Sequence, residues 1–212
     1  MGVPVLILGE SGAGKTYSIK NLDPDTTGLF MVEKGILPFR KPFPNLCKNA
    51  TYGMIISSLK LHKLTRYVID DSQYLMANEF FDRAAEKGYD KFTDIGVHFR
   101  DLIHLVNSKT PDNVIVYFLH HTEVDSNTGR IKAKTIGKML NEKLTLEGTF
   151  NIVLRAVKEN GEYMFLTQSN GQDTVKSPEG MFPEKIPNDL AAVDKAIREY
   201  YGMEVGNVAS AS

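Results

Sequence analysis

An α/β fold with a mainly parallel central sheet is what this sequence predicts, on three observations. Short β-branched runs alternate with longer amphipathic stretches, the order in which strands and covering helices follow each other in parallel sheets. The first run, Val3–Leu8 (VPVLIL), is apolar throughout, as a strand buried on both faces must be. Further on, two runs joined by Asn160-Gly161 read as a C-terminal antiparallel hairpin.

The elements follow in order. After the Val3–Leu8 strand, Thr16–Asn21 opens a first helix that must stop before Pro24. Gly28–Val32 (GLFMV) reads as a second strand, and 34–49, with Pro38, Pro42 and Pro44, as irregular chain. Tyr52–Leu64 is apolar at helical spacing. Arg66–Ile69 (RYVI) is a third strand ending at Asp70 and Asp71, followed by helical stretches at Gln73–Lys87 and Asp94–Ser108. In the latter, Ile95, Phe99, Leu102, Ile103 and Val106 share one face. A turn at Pro111-Asp112-Asn113 leads into a fourth strand, Val114–Leu119. The segment 122–135 is polar and basic, with a hairpin or loop signal at Asn127-Thr128-Gly129. Ile136–Leu146 reads as helix, Phe150–Val157 and Glu162–Gln168 as the two hairpin strands, and Leu190–Tyr201 as a final helix. A single domain over 1–205 and a disordered tail over 206–212 are expected.

Composition sets the outer bounds. Among 212 residues there are 25 Lys+Arg and 26 Asp+Glu, with 42% hydrophobic and 24% charged. These values exclude a disordered polyelectrolyte, a collagen-like chain and a histone-like protein. With a net charge of −1, any nucleic-acid contact must come from a local basic patch. The lone Cys47 forms no intramolecular disulfide and fits a reducing compartment. The longest apolar runs fall far short of the ~20 residues of a membrane span. No basic segment precedes the first of them, so no signal peptide is expected. No C-x-x-C or paired histidine spacing suggests zinc.

The chemistry concentrates directly after the first strand. Gly9-Glu10-Ser11-Gly12-Ala13-Gly14-Lys15-Thr16 fits G-x-x-x-x-G-K-[ST], with Tyr17 next. The glycines let successive N–H groups curl toward phosphate oxygens. Lys15 brings a mobile positive charge to the β- and γ-phosphates, and the Thr16 hydroxyl is a hard ligand for Mg²⁺. ATP with Mg²⁺ is the expected ligand pair. The motif needs an acidic partner at the end of a neighbouring strand. Asp70 is the candidate metal carboxylate, while Asp71 either polarises the attacking water or caps the next helix. Glu33, ending the second strand, is the candidate water-orienting base or else a surface carboxylate. His120 and His121, ending the fourth strand, are candidates for contact with the γ-phosphate or the water, or for simple strand caps. From Arg130 onward, Arg130, Lys132, Lys134, Lys138 and Lys143 form a basic segment. Alternate placement at 130, 132 and 134 would align three cations on one face of a strand. They would serve as DNA or trans-subunit contacts, or form a solvated loop. Lys176 is a further trans candidate; Tyr89, Phe92 and Phe182 are available for base stacking.

Taken in order, GESGAGKT, MVEKG, YVIDD, FLHHTE and RIKAKTIGK resemble the small RecA-like ATPases of bacteriophages, the ATP-dependent branch of the Sak single-strand annealing proteins. The later FLTQSNGQDTVKSPEGMF and IPNDL are similar to that group too, so the likeness runs from about Val3 to Tyr201. The resemblance implies a RecA-like P-loop core, ATP hydrolysis coupled to single-stranded DNA, help from a phage single-strand-binding protein, and a homo-oligomeric ring or filament. It implies the host cytoplasm as location. By position it matches Glu33 to the catalytic glutamate and His120 or His121 to the strand-end sensor. A conventional second DNA-binding loop with its aromatic is missing, and the region after His121 is the substitute. Two other classes stay open: a small-molecule kinase, against which the scattered arginines argue, and a nucleotide-dependent assembly module with little catalysis.

Overall fold

A computed structural model describes residues 1–136 and 145–203. Eight strands form one sheet in the order β10-β9-β8-β1-β5-β4-β2-β3. These are β1 (Val3–Leu8), β2 (Thr27–Met31), β3 (Leu46–Lys48), β4 (Arg66–Asp70), β5 (Ile115–His120), β8 (Ile152–Glu159), β9 (Glu162–Leu166) and β10 (Lys185–Pro187). Neighbours from β8 to β3 run parallel, while β8–β9 and β9–β10 are antiparallel. β6 (Thr122–Val124) and β7 (Ile131–Ala133) make a separate small hairpin.

Alternation along the central strands builds two cores. Leu6 and Leu8 of β1 join Phe30, Tyr67, Ile69, Val116 and Phe118 on one face. There they pack on α1 (Tyr52–Lys60), α2 (Gln73–Asp82) and α3 (Asp90–Lys109). Val5 and Ile7 point the other way with Leu29, Val68, Ile115 and Tyr117. They meet Ile19, Leu22 and the Leu190, Val193 and Ile197 stripe of α4 (Leu190–Tyr201). This two-sided burial is why β1 and β5 read as unbroken apolar runs. Thr51 caps α1 through Met54 N–H, and Asp189 caps α4 through Ala191 N–H at 2.9 Å.

The sequence reading differs from the structure at several described elements. Thr16–Asn21 is a six-residue 3-10 helix, ended by extended Leu22 ahead of Pro24. Leu46–Lys48, inside the proline-rich stretch, is the edge strand beside β2, since the prolines precede it and leave its N–H groups free to pair. Lys185–Pro187 is an edge strand too short to give a period. The expected Ile136–Leu146 helix falls largely outside the described residues, and Leu146–Thr149 is a 3-10 turn. The expected tail at 206–212 also lies outside them. No helix among the described residues is long and apolar enough to cross a membrane.

Candidate functional site

All the parallel strands end on one edge of the sheet, where open α/β sheets offer a crevice. β1 runs there into the Gly9–Thr16 loop. Gly12 (φ +80°) and Gly14 (φ +92°) hold the left-handed conformations that let the loop curl back. The loop is anchored by Gly9 N–H to His120 O at 3.1 Å and Ser18 N–H to Gly14 O at 3.0 Å. Lys15 is buried, and its Nζ donates to the carbonyls of Gly9 (2.8 Å) and Glu10 (3.0 Å). Burial pulls its pKa below the usual lysine value, against the opposing pull of Asp71, Asp70 and Glu10.

β4 reaches the same edge two strands away from β1, with β5 between them. Its last residue, Asp70, is 3% exposed, and the Thr16 hydroxyl lies 3.0 Å from each of its carboxylate oxygens. Burial first, and then Asp71, push Asp70 up to about 7, with Thr16 and Lys15 opposing. The fold thus joins Lys15, Thr16 and Asp70 from positions 54 and 55 residues apart in sequence. A threonine hydroxyl and a carboxylate are the hard oxygen donors a small divalent cation takes.

The remaining candidates divide. Asp71 sits at φ +59°, a left-handed conformation rare for a side-chain-bearing residue, and its Oδ1 is 3.2 Å from His121 Nε2. His121 is further held by its N–H to Gln73 Oε1 at 3.2 Å. Glu33 is half-buried just past β2 and accepts from Asn78 Nδ2 of α2 at 3.1 Å. His120 departs from the expected role. Its ring is fully buried, with Nε2 2.8 Å from Lys134 O and Nδ1 2.9 Å from Ser72 Oγ. The carbonyl can only accept, so Nε2 carries the proton and Nδ1 accepts from Ser72. Burial lowers its pKa to about 4. With both nitrogens engaged, His120 is a link between the end of β4 and the β6–β7 hairpin, not a group facing a ligand.

The hairpin corrects the basic strip. β7 covers only residues 131–133, and Lys132 Nζ is tied to Asp125 Oδ2 at 2.8 Å and Glu123 Oε1 at 3.7 Å. Its charge is cancelled within the hairpin, and the pairing holds the Asp125 carboxyl well below the usual carboxylate range. Arg130 and Lys134 are exposed, the former donating to Gly171 O at 2.9 Å. Lys138 and Lys143 lie outside the described residues. The hairpin is clamped by buried Glu147, whose Oε1 accepts from Ala133 N–H (2.7 Å) and Thr174 Oγ1 (3.0 Å).

Sequence reasoning missed Arg155 and Lys158. With Gly9–Ala13, Thr122, Ile131, Ala156 and Val157 they line a cavity of about 360 Å³ beside the loop. Arg155 Nε is 3.2 Å from Asp173 Oδ2. No local sequence signal marks Arg155 and Lys158, because they reach the loop only through the pairing of β8 with β1. No protein-family model matches this chain, and no curated protein matches it.

Proposed function

We propose that the protein binds ATP with Mg²⁺ and hydrolyses it, as a RecA-like P-loop ATPase. One observation carries the reading: the Thr16 hydroxyl and both Asp70 oxygens meet at 3.0 Å beside the buried Lys15. That is the lysine, hydroxyl and carboxylate set that phosphoryl transfer requires. The strand order supports it, because β5 is inserted between the loop strand and the Asp70 strand. Thr16 and Asp70 would hold Mg²⁺, which when bound supplies positive charge to the β- and γ-phosphates. Lys15 exchanges its two carbonyl partners for phosphate oxygens, and the loop amides bind the rest. The attacking water is oriented by Glu33, or by Asp71 with His121 behind it.

The protein is further proposed to act on single-stranded DNA as a homo-oligomer, in annealing or recombination, with a single-strand-binding protein as partner. Exposed Arg130 and Lys134 on the hairpin are its candidate phosphate contacts. The hairpin is wired to the ATP site: Lys134 O accepts from His120 Nε2, and Lys134 N–H donates to His121 O at 2.9 Å. The exposed Tyr89 beside Phe92, centroids 6.5 Å apart, is available for stacking. The test is phosphate release with and without single-stranded DNA, alongside sizing with a non-hydrolysable ATP analogue. DNA-stimulated release and nucleotide-dependent assembly are expected. Assembly without turnover would favour the assembly module.

One observation favours a kinase as second reading: the cavity beside the loop, with Arg155 and Lys158 in its wall, has room for a phosphoryl acceptor. Against it, Arg66 and Arg198 are locked on Asp194 at the opposite edge of the sheet, and Arg83 and Arg100 on nearby acids. A labelled phosphoryl group found on a nucleoside or nucleotide acceptor would decide for it.

A further inference from the structure

Two groups against Gly14 have no part in the triphosphate chemistry. A Cβ built at Gly14 would lie 2.7 Å from Tyr163 Cδ1 and 3.4 Å from Asn188 Oδ1, so both side chains lie directly against the loop, at a residue whose φ of +92° already favours glycine. Asn188 is 8% exposed, and neither Oδ1 nor Nδ2 has a hydrogen-bond partner among the described residues. An amide carries one strong acceptor and two donors, and native structures rarely bury all of them unpaired. The chain holds it in place from both sides. Its N–H donates to Tyr163 O at 3.2 Å, and the next residue, Asp189, caps α4 and accepts from Asn21 Nδ2 at 2.9 Å.

Tyr163 in turn neighbours Tyr17, the residue directly after the loop. Their centroids are 6.4 Å apart at 39°. A third flat ring between two others needs roughly 7 Å, twice the ~3.5 Å carbon contact distance. Both tyrosines are more than a third exposed. Lys20 Nζ lies 4.1 Å from the Tyr17 centroid and Lys158 Nζ 4.9 Å from that of Tyr163.

We propose that Tyr17, Tyr163 and Asn188 form the base subsite of the nucleotide site, and that its base is adenine. The proposal rests on reading Gly9–Thr16 as a triphosphate loop. The tyrosine rings stack on the base, and Tyr163 is the wall that swings to bring the base edge to the Asn188 amide. An amide oxygen accepting from an amino group while its nitrogen donates to the adjacent ring nitrogen is the bidentate pairing that adenine offers. Adenine presents that pair on both of its edges. Guanine carries the same pair only on its sugar-side edge, N2–H with N3, and on its pairing edge presents it reversed, O6 accepting and N1–H donating.

The test is calorimetric titration, with Mg²⁺, of ATP, GTP and inorganic tripolyphosphate into the wild type, Tyr163→Ala, Tyr17→Ala and Asn188→Leu, each checked for fold by circular dichroism. Expected are ATP binding tighter than tripolyphosphate, about a tenfold loss of ATP affinity in either tyrosine variant, and a smaller ATP-over-GTP preference in Asn188→Leu. Tripolyphosphate affinity should hold throughout. Tyr17, exposed, keeps the test valid if a substitution at the more enclosed positions fails to fold. Equal affinity of the wild type for ATP and tripolyphosphate, or variants that leave ATP binding unchanged, would overturn the base subsite and leave the loop reading standing. An unchanged ATP-over-GTP ratio in folded Asn188→Leu would overturn the role of the amide. Failure of the wild type to bind either compound would overturn the loop reading and the subsite with it.

Discussion

Asp70 and Asp194 are equally buried, each 3% exposed, and their carboxyls respond to the fold in opposite directions. Asp194 lies on α4 below the N-terminal edge of the sheet. It accepts from Arg66 Nε at 2.8 Å and from Arg66 Nη2, from Arg198 Nε at 2.7 Å, and from Tyr117 Oη at 3.1 Å. Although burial opposes it, these partners hold its pKa below the usual value. Arg198 also donates to Thr65 O and Asn113 O, so α4 is fastened across β4 and β5. Asp70, at the other edge, has one hydroxyl and a neighbouring lysine turned onto carbonyls, and is pushed up to about 7. The contrast separates two uses of a buried charge. One edge of the sheet completes its polar network and serves stability. The other leaves a carboxylate short of positive charge, as a cation-binding edge does.

The sharpest way to break this comparison is to cut both carboxylates. Asp194→Ala strands two guanidinium groups in the interior and should cost about 3–5 kcal/mol of unfolding free energy in urea titration. Asp70→Asn should leave the fold at least as stable at pH 8 while abolishing Mg²⁺-dependent phosphate release. Comparable destabilisation by both would erase the distinction. Next, Lys15→Ala should lower ATP turnover by roughly a hundredfold or more with the melting curve retained. Normal turnover would remove the catalytic assignment of this edge.

A third prediction uses pH. Asp70 is raised to about 7, so the folded state binds its proton more tightly than the unfolded chain does. Its contribution to stability is full below about 4 and lost as pH rises to about 7. His120 is lowered to about 4, so its contribution is full above about 6.5 and lost as pH falls toward 4. The two slopes oppose each other between pH 4.5 and 6.5. In thermal melts Asp70→Asn should therefore lose stability on acidification through that window more steeply than the wild type. Parallel curves would show that Asp70 does not titrate there. The smallest effect concerns the hairpin. Arg130→Ala and Lys134→Ala should each flatten the salt dependence of single-stranded DNA binding by roughly 0.7 log units per log unit of salt, and Lys132→Ala by much less. An equal effect of Lys132 would mean that its pairing with Asp125 opens on binding.

Much of the candidate site was legible because its signals are local. The glycines, Lys15 and Thr16 lie in eight consecutive residues, and Asp70 directly ends an apolar strand. The neutralisation of the basic strip was not legible because the acids that pair with Lys132 precede Arg130 in the chain. Hairpin register sets Glu123 opposite Lys132, and the loop then brings Asp125 to the same ammonium. His120 was legible as a strand-end histidine but not as a buried link, since its partners Ser72 and Lys134 lie 48 and 14 residues away. The Asp194 network left no trace beyond two arginines among seven, because its members are separated by up to 133 residues.

The amino-acid sequence by itself determined the mostly parallel α/β architecture and the glycine-rich loop that follows its first strand, because backbone curvature, strand burial and helix periodicity act over a few neighbouring residues. Only the tertiary structure decided which buried charges are neutralised and which are left wanting. Whether a carboxylate gains a guanidinium depends on which strands and helices cross above it, and that is fixed by the packing of the whole sheet.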